Sequence, residues 1–70
     1  MTVDGDPRRR LLTAREAAAL CGVRPATIRD WVRRGEIAAT AHNDRTGEHL
    51  YLEVHVLLAE RRIRARRLAA

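Results

Sequence analysis

The sequence predicts a small domain, mainly α with a small β-hairpin, and three observations point to it. A chain of 70 residues allows one small domain, because chains of this size bury only about 60% of their unfolded surface. Hydrophobic residues make up 46% of it and charged residues 33%, which suits a globular fold and argues against wholesale disorder. Trp31 and Tyr51 are the only aromatic residues and Phe is absent, so the core must be Leu, Val, Ile and Ala, a set that suits helices.

The elements follow in chain order. Residues 1–10 read as a disordered arm, since Asp4, Gly5, Asp6 and Pro7 are turn formers without an apolar pattern; order should begin at Leu11 and Leu12. Thr13-x-x-Glu16 is a capping box, and Ala17 to Cys21 has high helix propensity. A first helix therefore runs from Ala14 to Cys21, burying Ala17, Leu20 and Cys21, and Gly22 stops it. Pro25 suits a helix start, so the second helix runs from Pro25 to Arg34, burying Ile28, Trp31 and Val32, with Gly35 as its stop. Ile37 to Ala41 and His49 to Tyr51 make a weakly specified hairpin around the polar turn His42 to Gly47. A third helix covers Glu53 to about Arg64. Val54 to Ala59 is apolar nearly all round and should be well buried. Val56 and Ile63 share a face, Glu60 and Arg64 pair at i,i+4, and beyond Ile63 the helix should fray. The domain is thus residues 11–64, with 65–70 as a basic tail.

Charge is unevenly spread. All 14 basic residues are Arg, and the formal net charge is +5. A GC-rich coding sequence would also produce an Arg-only set, but planar donors of fixed charge suit phosphate better than proton chemistry. Residues 24–34 carry net +3, residues 35–60 net −4 and residues 61–70 net +5. Such segregation points to nucleic acid or an anionic surface. The lone Cys21 excludes an internal disulfide and a Cys-based zinc site, and a reducing compartment is the default. No apolar run nears the roughly 18 residues of a membrane span, and no h-region follows Arg8, Arg9 and Arg10. The chain reads as cytoplasmic and, if it binds DNA, nucleoid-associated.

Two short helices, a three-residue turn containing Gly22 and a basic second helix describe a helix-turn-helix. The first helix should brace the second through Leu20 and Ile28. The second can then lie in the major groove with Ala26, Thr27, Arg29, Asp30 and Arg33 outward. Its N-terminus also points N–H groups at any nearby phosphate. Arg29 and Arg33, like charges at i,i+4, cost an isolated helix a few tenths of a kcal/mol, which a bound anion would reverse. The alternative for Arg33 and Arg34 is that cations suit a helix C-terminus, with Asp30–Arg34 an ordinary surface pair. The partner implied is double-stranded DNA.

These residues carry a family resemblance. Leu11-Leu12-Thr13-Ala14-Arg15-Glu16-Ala17-Ala18, followed by Cys21-Gly22-Val23-Arg24-Pro25-Ala26-Thr27-Ile28-Arg29-Asp30-Trp31-Val32-Arg33-Arg34-Gly35, resembles the DNA-binding head of the MerR-like superfamily. The nearest types are its small single-domain members, the BldC-like regulators and the phage excisionases. Thr46 to Tyr51 and Glu53 to Ala59 are similar to the family's wing and following helix, so the resemblance covers about residues 11–60, with Gly22 to Gly35 the specific part. It implies a winged helix-turn-helix in which Thr27, Arg29, Trp31 and Arg33 touch DNA backbone or base edges, Trp31 packing inward and reaching a phosphate. Arg24 departs from the usual Ser or Asp cap and gains a phosphate contact in exchange. His49 and Leu50 replace the Arg usual before the wing Tyr, and His55 replaces an acidic residue. His42, Arg45, Thr46 and His49 are the wing candidates, but Asp44 and Glu48 offset Arg45, which argues against strong minor-groove contact. The long dimerisation helix and effector domain of full MerR regulators are not expected here.

In the tail, Arg61, Arg62, Arg64, Arg66 and Arg67 are either a solvated helix end or an extension that tracks phosphates. Ile63 and Leu68 are its only large apolar residues, so a membrane-surface helix is not expected. His49 and His55 are six apart across a strand–helix junction, a poor ligand spacing, so no metal and no cofactor is expected. There is no Lys, no Gly-rich phosphate loop and no nucleophile beside a base, which argues against an enzyme. The expected role is a transcription regulator. The alternatives are an excisionase that bends attachment-site DNA and recruits an integrase, and a protein-interaction module that has lost DNA binding. One such module buries only roughly 600–1,000 Å² on DNA, so self-association on DNA, as a dimer or a head-to-tail array, is expected.

Overall fold

A computed structural model describes residues 10–69. β1 (Leu11–Leu12) leads into α1 (Ala14–Cys21), and three residues separate α1 from α2 (Pro25–Arg33). The chain then crosses to β2 (Ala41–His42), returns along β3 (His49–Leu52) and enters α3 (Glu53–Ala69) without a loop. This is the small, mainly helical winged helix-turn-helix that the sequence predicts. The arm expected over residues 1–9 lies outside the described residues.

Local chemistry sets the ends of α1 and α2. At the start of α1 the Glu16 amide donates to Thr13 Oγ1 at 3.1 Å and the Thr13 amide to Glu16 Oε1 at 2.8 Å, so the capping box is complete. Both helices end in a Schellman motif. Gly22 (φ 71°) closes α1, with the Val23 amide donating to the Ala18 carbonyl at 3.0 Å. Gly35 (φ 81°) closes α2, with the Glu36 amide donating to the Trp31 carbonyl at 2.8 Å. A Cβ at either glycine would meet nothing within 4 Å, so the positive φ, rather than crowding, calls for glycine. The second helix ends one residue earlier than expected, because Arg34 (φ −82°, ψ −2°) has already left it as the cap.

The strands form one antiparallel sheet in the order β1-β3-β2. The expected hairpin pairs Ala41 with Leu50 and His42 with His49. Its first arm is shorter than expected from Ile37 to Ala41, because Ile37 turns inward as a core plug at 3% exposure. β1 is an addition to the expected elements, pairing Leu11 with Leu52 and Leu12 with Tyr51. Leu12 and Tyr51 are a directly opposed pair, and both are buried.

The core is Leu12, Ala17, Ala18, Ile28, Trp31, Ile37, Tyr51, Val56 and Ala59. Two packing expectations are corrected. Leu20 does not brace α2: it is 45% exposed, and Ala17 and Ala18 are buried instead, small residues that permit a close helix approach. In Val54 to Ala59 only Val56 and Ala59 are buried, while Leu57 and Leu58 face solvent. The third helix does not fray beyond Ile63 but continues through Ala69. Arg62 donates to the Glu36 carbonyl oxygen at 2.9 Å and Arg66 to Glu36 Oε2 at 2.5 Å, so the loop after α2 holds the distal half of α3.

Candidate nucleic-acid interface

The starts of α1 and α2 and the tip of the β2–β3 hairpin converge on a cleft of about 880 Å³. α1 contributes Thr13 to Glu16, α2 contributes Arg24, Pro25, Ala26 and Arg29, and the wing contributes Glu48. A smaller hollow of about 210 Å³ continues under the wing, between Arg29, Gly47, Glu48, His49, Tyr51 and Ala14.

The N-terminus of α2 is open. Arg24 occupies the cap position (φ −84°, ψ 153°) without a side-chain cap bond. Pro25 has no N–H, and the Thr27 and Ile28 amides donate to the Arg24 carbonyl at 2.9 and 3.4 Å. The Ala26 amide therefore has no acceptor among the described residues, and Ala26 lines the cleft. An uncapped donor at the positive end of a helix dipole, beside two arginines, suits an anion such as a phosphodiester.

The arginines of α2 divide into two groups. Arg24 and Arg29 are exposed, line the cleft and have no acid partner among the described residues. Arg33 and Arg34 are both held by Asp30: Arg33 donates to Oδ1, and Arg34 Nε lies 3.1 Å from Oδ2. Asp30 thereby relieves the like-charge cost between Arg29 and Arg33. Thr27 is half-buried, as is Asp30, whereas Ala26 is exposed. Trp31 is only 8% exposed and lies beside Cys21, Val23, Ile63 and Arg64, against α3 and not in the cleft.

At the wing, Asn43 organises the turn. Its Oδ1 accepts from the Arg45 amide at 2.8 Å, its amide donates to the Glu48 carbonyl at 2.8 Å, and Gly47 (φ 77°) donates to its carbonyl at 2.7 Å. Thr46 Oγ1 accepts from the Glu48 amide at 3.2 Å. Arg45 and Thr46 are exposed at the tip, and His42 Nε2 lies 3.1 Å from Asp44 Oδ1. The His42 and His49 rings meet edge to face at 6.4 Å. Among the described residues no three His, Cys, Asp or Glu side chains stand together as metal ligands.

The tail arginines are placed unevenly. Arg62 and Arg66 bind Glu36, and Arg64 binds Glu60. Arg61 and Arg67 have no acid partner among the described residues. Cys21 is half-buried, and burial, then Glu60, pushes its thiol pKa up, against the opposing pull of Arg64.

Sequence reasoning missed Arg15 and Glu48 as cleft residues. Arg15 left a faint signal, because a cation in the first turn opposes the helix dipole. Glu48 left none, since its position depends on the register of β2 with β3. No helix among the described residues is long and apolar enough to cross a membrane. A comparison with family models matches residues 11–70 to the one described as a helix-turn-helix domain. No curated protein and no solved structure matches the chain.

Proposed function

This chain belongs to the helix-turn-helix domain family, and on that premise we propose that it binds double-stranded DNA sequence-specifically, as a small transcription regulator of the MerR-like type. The observation that supports this most is the open N-terminus of α2, where the Ala26 amide, Arg24 and Arg29 face one cleft beside the wing. A DNA strand in that cleft brings the phosphate acceptor that Ala26 lacks, with α2 in the major groove. Arg24 and Arg15 then hold backbone, and Arg29 reaches base edges. Arg33 and Arg34, tied to Asp30, contribute less. Copies sit side by side on repeated half-sites, since one module covers little DNA.

Sheared genomic DNA captured by the protein at about 150 mM salt and sequenced tests the role. Enrichment at promoters is expected; enrichment beside integrase attachment sites would replace the regulator with an excisionase, and no enrichment would sink DNA recognition altogether. On an enriched site, Arg29→Ala should cost about 1–3 kcal/mol and relax preference at one base position. An equal loss on every sequence would reduce Arg29 to a phosphate contact.

A further inference from the structure

α3 carries two apolar faces, and the core covers only one. Val56 and Ala59 are buried and Ile63 packs beside them. About half a turn round the helix, Val54, Leu58, Arg61, Ala65 and Leu68 recur at spacings of four, three, four and three, the spacing of a coiled-coil seam. Leu58 is 46% exposed and Leu68 80%. Beside Leu58 a shallow hollow of about 270 Å³ opens between Ile37, Ala38, His55 and Arg62. The seam is presented on a fixed helix: Glu36 holds Arg62 and Arg66, and Glu60 holds Arg64, although residues 64–69 are all exposed.

Arg61 decides what can cover this face. It stands in the middle of the seam, and among the described residues it has no acid partner, unlike its neighbours Arg62 and Arg64. Any helix laid along the seam must desolvate that guanidinium, which is unfavourable unless the helix brings a carboxylate. A second copy does not: a two-fold pair centred on the seam sets Arg61 against Arg61. A phosphate backbone offers nothing to Leu58 and Leu68. We propose that the Val54–Leu58–Arg61–Ala65–Leu68 seam of α3 is a docking surface for an acidic amphipathic helix of another protein, whose central carboxylate pairs with Arg61.

The test uses the full chain and a labelled synthetic helical peptide of three heptads, with leucines along its seam, acidic flanks and one Glu at the central seam position. A control peptide has Lys in place of that Glu. Fluorescence anisotropy should show the Glu peptide binding at least about tenfold more tightly than the Lys peptide. Arg61→Glu should reverse that preference. Leu58→Gln should abolish binding while leaving duplex DNA affinity unchanged, and Leu68→Gln, at a more exposed position, repeats the test if Leu58→Gln melts early. Equal binding of both peptides, or none up to about 1 mM, would overturn the proposal. So would sedimentation showing a DNA-free dimer that Leu68→Gln dissociates, which would make a second copy the occupant. A loss of duplex affinity in Leu68→Gln as large as in Arg29→Ala would assign the face to DNA instead.

Discussion

The N-termini of α1 and α2 face the same cleft and are finished in opposite ways. α1 caps its first turn with side chains: Thr13 and Glu16 exchange hydrogen bonds with each other's amides, although the Ala14 and Arg15 amides have no acceptor among the described residues. α2 begins with Arg24 and Pro25, has no side-chain cap, and leaves the Ala26 amide without an acceptor among the described residues. A missing cap costs about 1 kcal/mol of stability. Both are starts of short α-helices, so the same backbone physics applies to both. The difference teaches that the start of α1 is held by its own side chains, while the start of α2 puts a charged side chain where a cap would stand.

Giving α2 a cap should break that contrast most sharply. Arg24→Ser supplies a cap and removes a charge, so its two effects have opposite signs. DNA affinity should fall by about 2 kcal/mol, the worth of a hydrogen bond to a charged group, with the salt slope shallower by about 0.9 for one lost phosphate contact. Stability should rise by about 1 kcal/mol, which in a domain this small lifts Tm by about 4–8 °C. A weaker complex with an unchanged salt slope would remove Arg24 from the backbone contacts.

The converse change belongs to α1. Thr13→Ala should lower folding stability by about 1 kcal/mol in denaturant titration and leave the salt slope of DNA binding as it was. A changed slope would mean that the α1 cap also serves the ligand. A smaller effect is expected at the exit of α2, where Glu36 holds α3. Glu36→Gln should cost only about 0.5 kcal/mol, because Arg62 and Arg66 are solvent-exposed, but amide exchange should speed up selectively over residues 64–69. Uniform exchange along α3 would show that the distal turns need no clamp.

The smallest effect lies at the other end of α1. Burial and Glu60 raise the Cys21 pKa, so at pH 8 alkylation should be slower in the folded chain than in denaturant. The same shift stabilises the fold below the unfolded thiol pKa, and that contribution is lost as pH rises through the folded value. Equal alkylation rates folded and unfolded would show that the site is open.

What was legible in the sequence was local. Thr13-x-x-Glu16, Gly22, Pro25 and Gly35 each act on neighbours within five residues, and all four mark element ends where expected to within one residue. Of the outward residues expected on α2, Ala26, Arg29 and Arg33 are exposed, because a nine-residue helix with one apolar stripe has one opposite face, while Thr27 and Asp30 are half-buried at its margin. Leu20 misled because a large apolar residue on the periodic face was expected inside, whereas the buried residues of α1 are Ala17 and Ala18, where backbones can approach closely.

The sequence by itself determined where α1 and α2 start and stop and that a basic helix follows a tight turn, since capping and propensity act over one turn of chain. Only the tertiary structure decided that Leu12 pairs with Tyr51, that Ile37 plugs the core, that Arg15 and Glu48 join Arg29 around one cleft, and that Glu36 holds Arg62 and Arg66. Each of these joins residues far apart in the chain. Such contacts form only once several elements have packed together, and no local pattern carries that information.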